Sequence, residues 1–247
     1  MQIIPSLPEK PIAEVFHPEI TRLPRLTFTR KIIRRLLIFL IRLVVGLLVR
    51  KRVSGLEYFP RQGPALLVVN HLGDADAVVA LAVTPIPIDG LAKVELNDLP
   101  LIGKLMEAYG VIWVHRGKPD RRALRAALDG LKEGRVLAIA PEGRESLIGG
   151  LEEGTHGAAY LALSADVPIV PVTFTGTENT RIYANLKRLR RTEISITVGP
   201  AFRLTNRATL RESIYWGTEH IMHVLACQLP EVYKGVYQKK NKGIEDD

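Results

Sequence analysis

The chain has 247 residues, 47% of them hydrophobic, which suits one large domain with a buried core and excludes a disordered polymer. Its 34 basic and 26 acidic residues leave a net charge of +8, favouring an anionic partner: nucleic acid, an anionic membrane surface or phosphorylated substrates. A single cysteine, Cys227, excludes an intramolecular disulfide and fits a reducing compartment, and the six scattered histidines offer no zinc spacing, so no metal site is expected.

Residues 1–24 contain Pro5, Pro8, Pro11, Pro18 and Pro24 and read as an irregular or short-helical lead-in. A secretory signal would need a compact apolar core and a cleavage site. Residues 30–52 hold eight basic residues and no acid, and their longest uncharged apolar stretch, 43–49, falls far short of a spanning helix of about 20 residues. Lys31, Arg35 and Arg42 recur on one helical face, with Leu, Ile, Phe and Val filling the rest. An amphipathic helix lying in an anionic membrane surface fits this pattern. The alternatives are a helix packed on the domain with a solvated basic stripe, or a tilted span with snorkelling arginines.

After a turn at residues 60–64, the short apolar run 65–69 predicts a buried strand ending in Asn70-His71. Asp74 or Asp76 then suits the start of a helix, as N-cap or first-turn acid, and Pro85 and Pro87 cut that helix short within 77–90. A second unit from Ala92 leads to a short helix ending near Gly110 and a strand over 111–114, which delivers His115-Arg116-Gly117. Residues 120–132 form an amphipathic helix, and the strand 135–140 ends in Pro141-Glu142-Gly143-Arg144. A glycine-rich loop, a helix over 157–165, strands over 168–174 and 194–198, a helix over about 209–229 and a charged, fraying end complete the chain. Strand–helix alternation of this kind predicts an α/β fold with a mostly parallel sheet flanked by helices.

Three polar clusters therefore lie at the ends of three strands: Asn70-His71 with Asp76, His115-Arg116, and Glu142-Gly143-Arg144. A parallel sheet gathers such ends on one edge, where ligands bind. Across a strand–turn–helix junction Asp76 can reach His71, fix the imidazole tautomer and raise its basicity. No Ser or Cys stands beside His71 as a nucleophile, so it reads as a base acting on a substrate hydroxyl. Arg116 and Arg144 offer planar bidentate donors to a phosphate on the same substrate.

These residues resemble the glycerolipid acyltransferases, specifically the 1-acylglycerol-3-phosphate acyltransferases. The blocks are Asn-His-x4-Asp at Asn70, His71 and Asp76; a Gly…Arg pattern at Gly110 to Arg116; Pro-Glu-Gly at Pro141 to Gly143, followed by Arg144; and Val-Pro-Ile-Val-Pro-Val at Val167 to Val172. The segments Ala92 to Leu96 and Pro100 to Gly103 add to the likeness, which covers about residues 55–200. Two departures stand out: Gly73-Asp74 adds a second acid to the first block, and the third lacks the threonine of Pro-Glu-Gly-Thr-Arg, so that Arg144 sits one position early.

The resemblance implies an O-acyltransferase with no cofactor. It would move a fatty acyl group from acyl-CoA or acyl carrier protein to a lysophospholipid hydroxyl, foremost 1-acylglycerol-3-phosphate, giving phosphatidic acid. His71 would be the general base and Asp76 its orienting acid; Arg116, Glu142, Gly143 and Arg144 would bind substrate, with amides near Gly143 among the candidate oxyanion donors. Glu142 would organise its loop or accept a hydrogen bond, or serve only as a turn residue. Residues 1–52 are expected to form the lead-in and membrane-binding helix and 53–247 the catalytic domain, held peripherally or monotopically at the cytoplasmic face. The alternatives are another lysophospholipid or glycolipid acceptor, or a non-catalytic basic protein that binds membrane or nucleic acid. Nucleic acid is disfavoured, because the most basic stretch is also apolar and no aromatic stacking platform is evident.

Overall fold

The computed structural model describes residues 8–117 and 119–238. The first seven residues of the lead-in and the charged end expected to fray lie outside them. Residues 8–24 contain no helix and run as an irregular strap. Helix α1 (Phe28–Leu48) is capped by the Thr27 side chain, which accepts from the Arg30 N–H, and passes without a linker into strand β1 (Val49–Ser54). Strand β2 (Ala65–Val69), helix α2 (Ala75–Val83), β3 (Asp89–Lys93), α3 (Ile102–Tyr109) and β4 (Ile112–Val114) follow. The second half adds α4 (Arg121–Lys132), β5 (Val136–Ile139), α5 (Gly157–Ala165), β6 (Ile169–Thr175), α6 (Asn179–Lys187), β7 (Thr192–Val198) and α7 (Leu210–Gln228).

The seven strands form one sheet in the order β1-β7-β6-β2-β5-β3-β4. All neighbours pair in parallel except β6 and β7, so the five strands from β6 to β4 share one carboxyl edge. Successive side chains of a strand point to opposite faces. Leu66 and Val68 of β2 accordingly join the core beneath α4, α5 and α7, while Ala65 and Leu67 join the core beneath α1 and α2. Covered on both faces, β2 reads as an uninterrupted apolar run.

The N-terminal helix is shorter than the sequence pattern predicts, because Arg50, Lys51 and Arg52 belong to the edge strand β1. The division expected between residues 52 and 53 thus falls inside a strand. Nor are all the basic residues of α1 solvated. Arg34 is buried, with Nη1 on Asp89 Oδ1 at 2.7 Å and Nη2 donating to the Ile88 carbonyl at 2.8 Å. Asp89 Oδ2 receives Arg135 Nη1 at 3.1 Å, making an Arg–Asp–Arg chain that ties α1 to β3 and β5. Arg42 donates to the Thr84 carbonyl at 2.7 Å, at the end of α2. The helix predicted over 77–90 ends at Val83, strand β3 begins at Asp89 inside the predicted helix and runs beyond it, and α6 has no counterpart among the predicted elements.

Candidate active site

The strand end of β2 is stitched to β6 by Asn70. Its side-chain Nδ2 donates to the Phe174 carbonyl at 2.9 Å, and its Oδ1 accepts from the Phe174 N–H at 2.7 Å. The backbone then turns sharply into α2, which places Asp76 in the first helical turn. Asp76 Oδ2 accepts three bonds, from His71 Nδ1 at 2.9 Å, the Leu72 N–H at 2.7 Å and the Gly73 N–H at 3.0 Å. Two of these donors are backbone amides, so the carboxylate is fixed independently of the imidazole. It holds the proton on Nδ1 and leaves Nε2 as the basic nitrogen. The His71 side chain keeps 30% of its surface exposed, and Nε2 has no bonding partner among the described residues. Burial pulls the His71 pKa down, but the bond and charge of Asp76, helped by Glu145 and Glu142, outweigh it and leave the pKa raised.

Glu142, at the end of β5, is only 1% exposed and joins this turn to its own loop. Oε1 accepts from the His71 N–H at 3.0 Å and Oε2 from the Glu152 N–H at 2.8 Å. Burial is the dominant influence and pushes its pKa up to about 7, against the two amide bonds that favour the anion. Gly143 adopts a left-handed φ of 73°, and its own N–H is spent on the Ala140 carbonyl at 3.1 Å. That amide is therefore committed to the turn and is not free to serve an oxyanion.

The two arginines fare differently. Arg144 is 6% exposed, with Nε on Glu152 Oε2 at 2.6 Å and Nη1 donating to the Pro8 and Glu9 carbonyls at 2.8 and 3.2 Å. It is neutralised by Glu152 and strapped to the lead-in, rather than standing free as a group expected to bind phosphate would. In ungapped register, Glu145 rather than Arg144 falls where the Pro-Glu-Gly-Thr-Arg block carries its arginine. Arg116, at the end of β4, is half-buried, makes no ion pair with a described residue, and has a buried Nε without a hydrogen-bond partner. It stands three strand spacings from β2, about 14 Å along the carboxyl edge, on the far side of β5 and β3 from His71.

The sequence also contains a second His-x4-Asp, which sequence reasoning passed over. His115 Nδ1 lies 2.9 Å from Asp120 Oδ2, matching the first pair in spacing and distance. Asp120 additionally caps α4, accepting from the Arg122 and Ala123 N–H groups at 3.0 and 3.2 Å. His115 Nε2 is occupied, accepting from the His17 N–H of the strap at 3.0 Å. Ser146, the hydroxyl residue next to the site, spends its Oγ–H on the Gly150 carbonyl at 2.5 Å and supports its own loop. Among the described residues no group of three or more His, Cys, Asp or Glu is placed to hold a metal ion.

A family model described as Acyltransferase matches residues 50–175, about half of the chain. The chain is 30% identical over 130 residues to a 1-acyl-sn-glycerol-3-phosphate acyltransferase of Borreliella burgdorferi, covering 51% of this chain and 52% of that one. It is 36% identical over 135 residues to a lyso-ornithine lipid O-acyltransferase of Pseudomonas aeruginosa, covering 54% and 50%. The match thus spans about half the length of these curated relatives. The crystal structure of a 1-acyl-sn-glycerophosphate acyltransferase from Thermotoga maritima superposes with a TM-score of 0.62 at 20% identity, covering 82% of this chain and 84% of that one, a likeness of fold. The matched segment contains both carboxyl-edge junctions that build the His71 site, and the chain belongs to the acyltransferase family.

Proposed function

We propose that the protein transfers a fatty acyl group from an acyl thioester, acyl-CoA or acyl carrier protein, to the hydroxyl of a lysolipid, foremost 1-acylglycerol-3-phosphate in phospholipid synthesis. The observation that carries this reading is the His71–Asp76 bond of 2.9 Å, with Nε2 facing no partner among the described residues. His71 Nε2 takes the proton of the acceptor hydroxyl as its oxygen attacks the thioester carbonyl. The tetrahedral adduct collapses, the C–S bond breaks, and the proton on the imidazolium goes to the departing thiolate. Asp76 stabilises the transient imidazolium, and no acyl-enzyme forms. Arg116 is the cation assigned to the acceptor phosphate.

A second acceptor is favoured by one feature, the neutralisation of Arg144 by Glu152. It weakens the case for a phosphate monoester and suits a headgroup such as ornithine, which carries ammonium and carboxylate together. Incubating the purified protein and its His71→Ala variant with radiolabelled acyl thioester and each acceptor tests both readings. Phosphatidic acid as product supports the first, acylation of lyso-ornithine lipid the second. Equal activity of the His71 variant would remove the mechanism.

The acceptors are lipids, and the outward face of α1 is assigned to the membrane. Phe28, Ile32, Leu36, Phe39, Leu43 and Leu47 are exposed there, flanked by Lys31 and Arg35. A contiguous apolar face edged by cations fits an anionic interface at the cytoplasmic side. No helix among the described residues is long and apolar enough to cross a membrane.

A further inference from the structure

The site is assembled from the loops that follow β2 and β5, and a residue beyond the family-matched segment bonds to both. The Asp74 N–H donates to Asn179 Oδ1 at 2.9 Å, and Asn179 Nδ2 donates to Glu145 Oε2 at 2.9 Å. Asn179 is the first residue of α6, and its carboxamide lies so close to the catalytic turn that a Cβ on Gly73 would meet Asn179 Oδ1 at 2.6 Å. Tyr183, one turn further along α6, donates to Asp74 Oδ2 at 2.9 Å. On the other side, the Ser146 N–H donates to the His71 carbonyl at 2.8 Å, which brings Glu145 alongside the histidine. Asp74 and Glu145 are the two acids by which this chain departs from the pattern of its family, and one side chain bonds to both positions.

We propose that Asn179 is a positioning residue, which holds Glu145 beside the catalytic histidine as a second carboxylate supporting its protonated form. The proposal rests on His71 being the base. Around the imidazole stand Asp76 from α2, Glu142 and Glu145 from the β5–α5 loop, and Asp74 on the same turn, whose carboxylate is bonded to Tyr183 of α6. Glu142 is buried and its loop is fixed by two amides, and Asp76 is fixed by two more. Of the three carboxylates that favour the imidazolium, Asp76, Glu142 and Glu145, only Glu145 is placed by a side chain from a separate helix. A carboxylate held near an imidazole raises its pKa by favouring the cation, and the shift falls when the carboxylate swings into water.

The test uses the full chain and the acid limb of kcat/KM against pH. Glu145→Gln should move the midpoint of that limb down by about half a unit or more, because the imidazole loses a favourable charge. Asn179→Ala should move it in the same direction and lower kcat by roughly tenfold with little change in acceptor KM, since a misplaced group costs rate rather than affinity. The double variant should shift no further than Glu145→Gln alone, and Asn179→Ser, which keeps a donor and an acceptor, should recover part of the loss. A Glu145→Gln profile that coincides with the wild type overturns the proposal. So does an Asn179→Ala variant that loses rate equally at every pH, or whose loss adds in full to that of Glu145→Gln. If instead His71→Ala retains activity, the base assignment fails, and that result is separable from these.

Discussion

The main-chain N–H of His17 donates to Nε2 of His115 at 3.0 Å and closes the nitrogen that His71 leaves open. The two His-x4-Asp pairs therefore share a geometry and differ in access. His71→Ala should lose about 10²–10⁴-fold in kcat, the range of a general base. His115→Ala should remain within about tenfold of wild type while lowering Tm, because it frees the strap and a half-buried Asp120. Steady-state kinetics and thermal unfolding of the two variants, side by side, check this; comparable catalytic losses would mean the strap pair is part of the chemistry.

The raised pKa of His71 fixes the direction of the pH dependence. As the proposed base, His71 must work unprotonated, so kcat/KM should fall as pH drops through a midpoint above the ordinary imidazole value of about 6.5. Asp76→Asn removes the strongest influence holding that value up. Its profile should shift to lower pH even as its maximum rate falls, and an upward shift would contradict the assigned role.

Glu142 gives a stability prediction with a defined sign. Its folded pKa of about 7 lies above the ordinary 4.5, so the folded state binds the proton more tightly than the unfolded chain. The contribution is complete below about pH 4.5 and is lost as pH rises to 7, a change of roughly 3 kcal/mol. Urea unfolding of wild type and Glu142→Gln across this window should show the wild type losing that much more than the variant. Parallel curves would place the titration elsewhere.

Arg116 and Arg144 should separate cleanly. Arg116→Ala should raise the acceptor KM by about 10–150-fold, the equivalent of a charge-assisted hydrogen bond of about 1.5–3 kcal/mol, and leave the thioester KM near its original value. Arg144→Ala leaves Glu152 buried without its cation and should cost about 3–5 kcal/mol of stability, with acceptor KM little changed in the folded fraction. An acceptor-specific KM effect at Arg144 would restore it to the substrate.

Leu36→Asp together with Phe39→Asp should release the protein from anionic vesicles without altering Tm, because both side chains are exposed on α1. Sedimentation with vesicles at low and high salt reads the result, since salt weakens the basic contribution and spares the apolar one. Undiminished binding by the double variant would move the membrane contact off this face.

The carboxyl-edge junctions were legible because each changes abruptly from branched apolar residues to polar ones, as at Val69-Asn70 and Ile139-Ala140-Pro141. Strand β3 was not, since Asp-Gly-Leu-Ala-Lys has no β-branched residue and its aspartate reads as a turn former. Here pairing with β5 and β4 overrides local preference, and Asp89 is buried because two arginines meet it. Whether an arginine of α1 faces solvent or an aspartate distant in sequence is not encoded in helical spacing. The same holds for Arg144, whose fate depends on Glu152 and on two carbonyls of a proline-rich strap that carries no periodic signal.

One consequence follows from the direct passage of α1 into β1 at Leu48 and Val49. A helix joined to a sheet by a loose linker can tilt without the sheet noticing; this one has no such slack, and the Arg34–Asp89 bond pins it again near its other end. It behaves as a lever welded to the edge of the plate it carries. A load on its outer face is passed straight to the edge strand β1 and, through Arg34, to β3, so the height and tilt of the sheet's carboxyl edge depend on how the helix lies. Shortening or rotating α1 by a single residue would re-aim that edge without altering any residue of the His71 site.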